Sequence, residues 1–140
     1  MNNRLEKIKN SMRDGSYTCV IDTGSEVLFS TERGVKPLLE FLDSGKDFSG
    51  AFAFDKVVGK AAAFIYVKLG VSCLYTEVIS EFALKVLLAH SVNVEYGKMV
   101  DAIRNRAGNG FCPMESAVLG IYDADEAIAA IKIKLTELLQ

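Results

Sequence analysis

Apolar and polar residues alternate along this chain with two different periods. A spacing of three to four residues predicts an amphipathic helix, whereas alternation or a short continuous apolar run predicts a strand. In chain order the predicted elements are a helix over 3–14, strands over 17–21 and 26–29, a helix over 34–42, a strand over 50–54, a helix over 56–69, a strand within 71–79, a helix over 81–90, a strand over 92–96, a short helix over 112–119 and a last helix over 123–139. Residues 100–106 fit either a strand or a short helix, and 107–110 form a loop.

Short polar residues and glycines mark the ends of several of these elements. Asp55 directly follows a continuous apolar strand, which makes it a good N-cap for the helix expected to begin at Lys56. Gly70 ends that helix. Ser80 is the expected N-cap of the next helix.

The order of the elements predicts an α/β fold. A hairpin comes first, and helices then alternate with strands, so the sheet is expected to be mixed. We expect a three-layer α/β/α sandwich in a single domain that spans residues 1–140.

Composition and charge exclude several classes of function. Half of the residues (50%) are apolar, which is enough for a packed core and argues against disorder. The net charge of −2 argues against a nucleic-acid partner. No apolar run reaches the roughly 18 residues of a membrane helix, so no membrane partner is expected. Cys19, Cys73 and Cys112 are far apart and odd in number, which favours free thiols and a cytoplasmic location.

Two segments fall where ligands bind in such folds, beyond the carboxyl ends of strands and near helix N-termini. The first offers Glu32, Arg33 and Lys36 as candidate ligand-binding residues, and the second offers Asp55, Lys56, Gly59 and Lys60. On the predicted helix the two lysines of the second segment share a face and, with free backbone N–H groups, would hold a phosphate. The glycine allows close approach of a ligand or of another backbone. The alternative is a solvated lysine pair beside a glycine that serves helix packing.

A third candidate segment is the glycine-rich stretch over 105–115. Asn105 and Arg106 are candidate ligand contacts. Cys112 begins a short helix, where a thiol can have a lowered pKa and become reactive, and Glu115 follows in the first turn. The alternative is an ordered loop with an inert cysteine.

Four stretches together resemble a known family: ERGVKPLLEFLDSG (32–45), DKVVGKAAAFIYVKLG (55–70), EVISEFALKVL (77–87) and NRAGNGFCPME (105–115). They resemble the prokaryotic domain-of-unknown-function family 1893, and the likeness covers most of the chain. The resemblance implies a fold similar to that of the cytidine deaminases.

The zinc motifs of true deaminases are missing from the matching positions. Those enzymes carry a His or Cys two residues before a catalytic Glu, and a Pro-Cys-x-x-Cys motif at the next helix. Here Ser30 stands two residues before Glu32, and the segment that begins at Asp55 has no thiolate. We therefore expect neither a metal nor another cofactor. The resemblance leaves a pocket in which Asp55, Lys56 and Lys60 replace the zinc.

The leading hypothesis is a deaminase-like protein without zinc that binds a small anionic ligand, such as a nucleotide or a nucleotide derivative. If the site is catalytic, Asp55 is the candidate general base and Cys112 the candidate nucleophile. Two alternatives stay open: an enzyme of unassigned class that uses Cys112 as a reactive thiol, and a non-catalytic interaction or scaffold protein. A homo-oligomer is expected because proteins with this fold often self-associate.

Overall fold

Helices and strands follow one another along most of the chain. The computed structural model describes residues 6–10, 17–32, 34–104, 108, 110 and 112–138. Its elements are α1 (6–10), β1 (Cys19–Asp22), β2 (Val27–Ser30), α2 (Lys36–Asp43), β3 (Phe52–Val58), α3 (Lys60–Leu69), β4 (Cys73–Ser80), α4 (Glu81–Ala89), β5 (Asn93–Val100), α5 (Pro113–Ala117) and α6 (Ala124–Leu138).

The strands form one mixed sheet in the order β2-β1-β3-β4-β5. Strand β1 is antiparallel to both of its neighbours, β2 and β3. Strands β3, β4 and β5 are parallel, and the helices α3 and α4 connect them. The predicted α/β fold with a mixed sheet is therefore confirmed, and so is the hairpin at its start.

Helix α3 lies at the centre of the main hydrophobic core. It contacts α2, α4 and α6, and its side chains are buried on almost every side. Three consecutive alanines, Ala61 to Ala63, keep its surface narrow there, which allows neighbouring elements to approach closely. On the opposite face of the sheet, Ile8 of α1 packs with Val20, Phe52 and Phe54.

The main correction to the predicted elements concerns residues 55–59. Asp55 does not cap a helix, because β3 continues to Val58 and α3 begins only at Lys60. Asp55 pairs with Cys19 of β1 on one side and with Thr76 of β4 on the other. Two neighbouring strands thus hold this segment in the sheet, and their pairing overrides the local capping signal.

Two local predictions, the Ser80 cap and the place of Pro37, are confirmed. The hydroxyl of Ser80 accepts the backbone N–H of Ala83 at the start of α4, at 3.1 Å. Pro37 lies in the first turn of α2. All three cysteines are free. Among the described residues, no helix combines the length and the apolar character needed to cross a bilayer.

Candidate functional site

A cavity of about 820 Å³ lies at the end of β3, where the N-termini of α2 and α3 meet the segment before α5. Its volume lies within the range of small-molecule sites, about 300–1,000 Å³. Residues that line it include Thr18, Cys19, Thr31, Glu32, Val35, Lys36, Asp55, Lys56, Val57, Gly59, Arg104, Cys112, Met114, Glu115, Leu135 and Leu138.

The three segments singled out in the sequence meet in this cavity. Six of the candidate residues line it: Glu32, Lys36, Asp55, Lys56, Gly59 and Cys112. Lys60 lines a second, smaller cavity instead. The remaining three candidates, Arg33, Asn105 and Arg106, lie outside the described residues.

Asp55 is one of the acidic residues that line the larger cavity. Its Oδ2 accepts a hydrogen bond of 2.7 Å from the hydroxyl of Tyr66, which reaches it from α3. The Tyr66 oxygen in turn lies 3.3 Å from the Sγ of Cys19, the residue opposite Asp55 on β1. The Tyr66 hydroxyl donates its only hydrogen to the Asp55 carboxylate. The Cys19 thiol is therefore the donor to the Tyr66 oxygen. A chain of hydrogen bonds thus runs from Cys19 through Tyr66 to Asp55.

Burial raises the pKa of Asp55 from its ordinary value of 3.8 to about 7. The hydrogen bond from Tyr66 and the backbone N–H groups of Val57 and Lys56 lower the pKa, and they offset only part of the effect of burial. At neutral pH the protonated and ionised forms of Asp55 are therefore both populated. A group with this property can donate or accept a proton without a change of pH.

The partners of Asp55 keep their own protons. Burial raises the pKa of the Cys19 thiol and that of the Tyr66 hydroxyl well above their ordinary values, and the nearby Asp55 charge adds to both shifts. The sequence indicated Cys19 only as a free thiol and did not single out Tyr66. A tyrosine within the apolar run AAAFIYV was the available signal, because a buried phenol needs a hydrogen-bond partner.

Glu115 occupies the N-terminus of α3. Its Oε1 accepts the backbone N–H of Lys60 at 2.7 Å, and its Oε2 accepts that of Ala61 at 2.9 Å. A β-carbon at position 59 would overlap this carboxylate, so the glycine is needed for its close approach. The helix terminus that we expected to hold a ligand phosphate therefore holds a carboxylate of the protein itself.

The structure corrects the predicted pair of lysines. Lys56 lies on β3 and Lys60 is the first residue of α3, so the two do not share a helical face. Lys60 is only 6% exposed, and its Nζ donates to the carbonyl oxygen of Val118 at 3.0 Å. Lys60 therefore does not serve the larger cavity.

Among the described residues, two exposed lysines line the larger cavity, Lys36 and Lys56. Within the described part of the chain, neither ammonium group forms an ion pair or a hydrogen bond. Arg104 also lines the cavity, and it pairs with Asp101 at 3.3 Å. The free positive charge is thus supplied by Lys36 and Lys56.

Cys112 lines the same cavity and is partly buried. It is the N-cap residue of α5, but its side chain caps nothing. Among the described residues its sulfur has no hydrogen-bonding partner, so no base that would activate the thiol is in contact with it. Within that same part of the chain, no three His, Cys, Asp or Glu side chains are grouped so that they could hold a metal ion.

Comparisons with known proteins identify relatives but no activity. The family model described as "Domain of unknown function (DUF1893)" matches residues 7–135. The crystal structure of a DUF1893 family protein from Thermotoga maritima matches with a TM-score of 0.87 and 26% sequence identity, over 98% of this chain and 91% of that one. No curated protein matches the sequence.

Proposed function

This chain belongs to the DUF1893 family of unknown function, and we propose that its larger cavity binds a small anionic molecule, such as a nucleotide or a nucleotide derivative. The observation that carries the proposal is the pair of exposed lysines, Lys36 and Lys56, which line the cavity without a partner among the described residues. Two ammonium groups beside one cavity attract an anion, and their flexible stems allow them to follow a phosphate.

The position of the anion differs from the one that the sequence suggested. Glu115 already fills the N-terminus of α3, and Lys60 is bound to Val118. The anionic group of the ligand would therefore lie between Lys36 and Lys56. Asp55 would contact a hydroxyl group or a base edge, since it can accept a hydrogen bond when ionised and donate one when protonated.

Asp55 is also the general base of the proposed site, if the site is catalytic. Its raised pKa suits proton transfer near neutral pH, and Tyr66 fixes its orientation. The alternative of Cys112 as a nucleophile has less support, because no described residue hydrogen-bonds its sulfur.

The finer features of the fold belong to the same proposal. A three-layer, cytidine deaminase-like arrangement is supported by the sheet order with β1 antiparallel to its neighbours and by α1 on the face opposite α3. A cytoplasmic location is supported by the three free thiols. A homo-oligomer also stays a proposal, and light scattering after size exclusion would test it against the monomer mass of 15.3 kDa.

Thermal shift with inorganic phosphate, nucleotides, nucleosides and sugar phosphates tests the proposed ligand class. A ligand at 100 times its Kd stabilises the folded protein by about 2.7 kcal/mol, which gives a clear rise in Tm. We expect a rise with phosphorylated compounds and none with the matched nucleosides. Lys36→Ala and Lys56→Ala should each weaken the response.

Lys98→Ala is the matched control, because Lys98 is an exposed lysine on β5 that lines neither cavity. This variant should respond as the wild type does. An equal response of all three variants would contradict the assigned site. No response from any phosphorylated compound would contradict anion binding and favour the interaction or scaffold protein.

A further inference from the structure

A second cavity, of about 130 Å³, lies on the other side of Glu115. The described residues that line it are Lys60, Phe82, Ala102, Glu115, Leu119, Gly120 and Tyr122. Only two of these side chains, Lys60 and Glu115, carry a charge. The cavity is thus a small, largely apolar space with one amine in its wall.

The amine of Lys60 is enclosed by aromatic rings. Its Nζ lies 4.7 Å from the ring centroid of Tyr122, 5.8 Å from that of Phe82 and 5.9 Å from that of Phe64. The carbonyl oxygen of Val118 accepts one of its hydrogens. An ammonium group has three hydrogens to donate, and the described residues supply no second oxygen acceptor for this one.

Several effects act on the charge of this amine. Burial disfavours the ammonium form, and so does the position of Lys60 at the first residue of α3, next to the positive end of the helix dipole. Glu115 and the aromatic rings favour the charged form. Burial is the largest effect, so the pKa of Lys60 is lowered from its ordinary value of 10.5.

We propose that Lys60 is a nucleophilic amine, which condenses with a small uncharged aldehyde or ketone in the second cavity. The neutral amine adds to the carbonyl carbon to give a carbinolamine, which loses water and leaves a carbon–nitrogen double bond. The carbonyl oxygen departs in that water together with the two hydrogens of the amine. The step needs no oxidant, reductant or metal. A lysine desolvated among apolar side chains is suited to this chemistry.

The cavity limits the carbonyl compound in size and charge. Its volume of about 130 Å³ is well below the roughly 300–1,000 Å³ of typical small-molecule sites, so it suits a small carbonyl compound. The carboxylate of Glu115 lines the same space and would repel an anionic carbonyl compound. This site is separate from the anion site proposed for the larger cavity, and Glu115 forms part of the wall of both cavities.

Reductive trapping on the wild-type protein tests the proposal. The protein is treated with propionaldehyde and sodium cyanoborohydride at neutral pH, and the alkylated lysines are quantified by peptide mass spectrometry over time. Lys85 is the internal control, because it is exposed and its Nζ lies 6.0 Å from the ring of the same Phe82. We expect Lys60 to react several-fold faster than Lys85, because burial lowers the pKa of Lys60 and so raises the fraction of its amine that is neutral and able to attack the carbonyl.

If Lys60 is alkylated no faster than Lys85, the proposal is overturned. Glyoxylate in place of propionaldehyde tests the charge preference. A higher ratio of Lys60 to Lys85 trapping with this anion than with propionaldehyde would overturn the assignment to uncharged carbonyl compounds. Lys98→Ala should leave the rate at Lys60 unchanged, because Lys98 lines neither cavity.

Discussion

Glu115 and Gly59 are in contact at the N-terminus of α3, and this contact explains why a carboxylate and a glycine occupy these two positions. The carboxylate satisfies two backbone N–H groups that a helix of this kind leaves without intrahelical partners. It can reach them only because position 59 has no β-carbon. The backbone of Gly59 has a φ of −97° and a ψ of −178°, which any residue adopts. The glycine is thus required by the contact and not by its backbone conformation.

Gly59→Ala is therefore expected to displace Glu115 from the helix. Loss of the two hydrogen bonds to the carboxylate should lower the free energy of unfolding by about 1–3 kcal/mol. Urea denaturation of the wild type and the variant measures this difference.

A double-mutant cycle separates this contact from other effects of the alanine. In a Glu115→Ala background, Gly59→Ala should leave the free energy of unfolding almost unchanged, because the carboxylate that the β-carbon would overlap is gone. If the losses in free energy of unfolding of the two single variants simply add in the double variant, the proposed contact is contradicted.

The sequence indicated both residues of this contact, but not that they touch. DKVVGKAA suggested a glycine that allows close approach, and CPME placed Glu115 in a helical turn. Glu115 lies 55 positions after Lys60, the residue that follows Gly59, and no local pattern links these two parts of the chain. Tyr66 was missed for the same reason, since its partners Asp55 and Cys19 lie on strands that only the fold brings beside α3.

At the scale of elements, α3 and α4 show two ways to cap a helix that follows a parallel strand. Helix α4 begins with Ser80, whose hydroxyl accepts the N–H of Ala83 three residues later. Helix α3 has no side-chain cap at its own start and uses Glu115 of α5. The local cap was predictable from the sequence, whereas the distant one was not. This is why the start of α4 was predicted correctly and the start of α3 was placed too early.

Ser80→Ala should destabilise α4 and with it the protein. Ser80 is fully buried, so the variant leaves the N–H of Ala83 buried without its acceptor. We expect the free energy of unfolding to fall by about 1–2 kcal/mol. Urea denaturation measures the change, and the exposed Ser49→Ala serves as the control. A loss no larger than that of Ser49→Ala would contradict the role of Ser80 as a cap.

At the scale of the whole molecule, the α/β class followed from the element order, but the position of β1 within the sheet did not. Strand β1 lies between β2 and β3, and its pairing with β3 holds Asp55 in the sheet. Asp55 thereby lies beside the wall of the cavity and within reach of Tyr66. A residue that the sequence indicated as a helix cap is instead a partly buried strand acid with a raised pKa, and it couples the stability of the whole fold to pH.

The sign of this coupling follows from the raised pKa of Asp55. The folded protein holds the Asp55 proton up to about pH 7, whereas the unfolded chain releases it near its ordinary pKa of 3.8. The contribution of Asp55 to stability is therefore fully present below about pH 4 and is lost as the pH rises to about 7. Its size is on the order of a few kcal/mol, since one pKa unit corresponds to about 1.4 kcal/mol.

Asp55→Asn removes this titration and keeps an oxygen that accepts the Tyr66 hydroxyl. The wild type should therefore lose stability relative to Asp55→Asn as the pH rises from about 4 to about 7, and the difference should then level off. Urea denaturation of both proteins across this range measures the difference and cancels the titration of other groups. Tyr66→Phe should raise the pKa of Asp55 in the folded protein, because the Tyr66 hydroxyl favours the ionised carboxylate. The loss of stability should then extend to higher pH. A difference between wild type and Asp55→Asn that is constant, or that grows in favour of the wild type with rising pH, would show that Asp55 is not held as a buried acid.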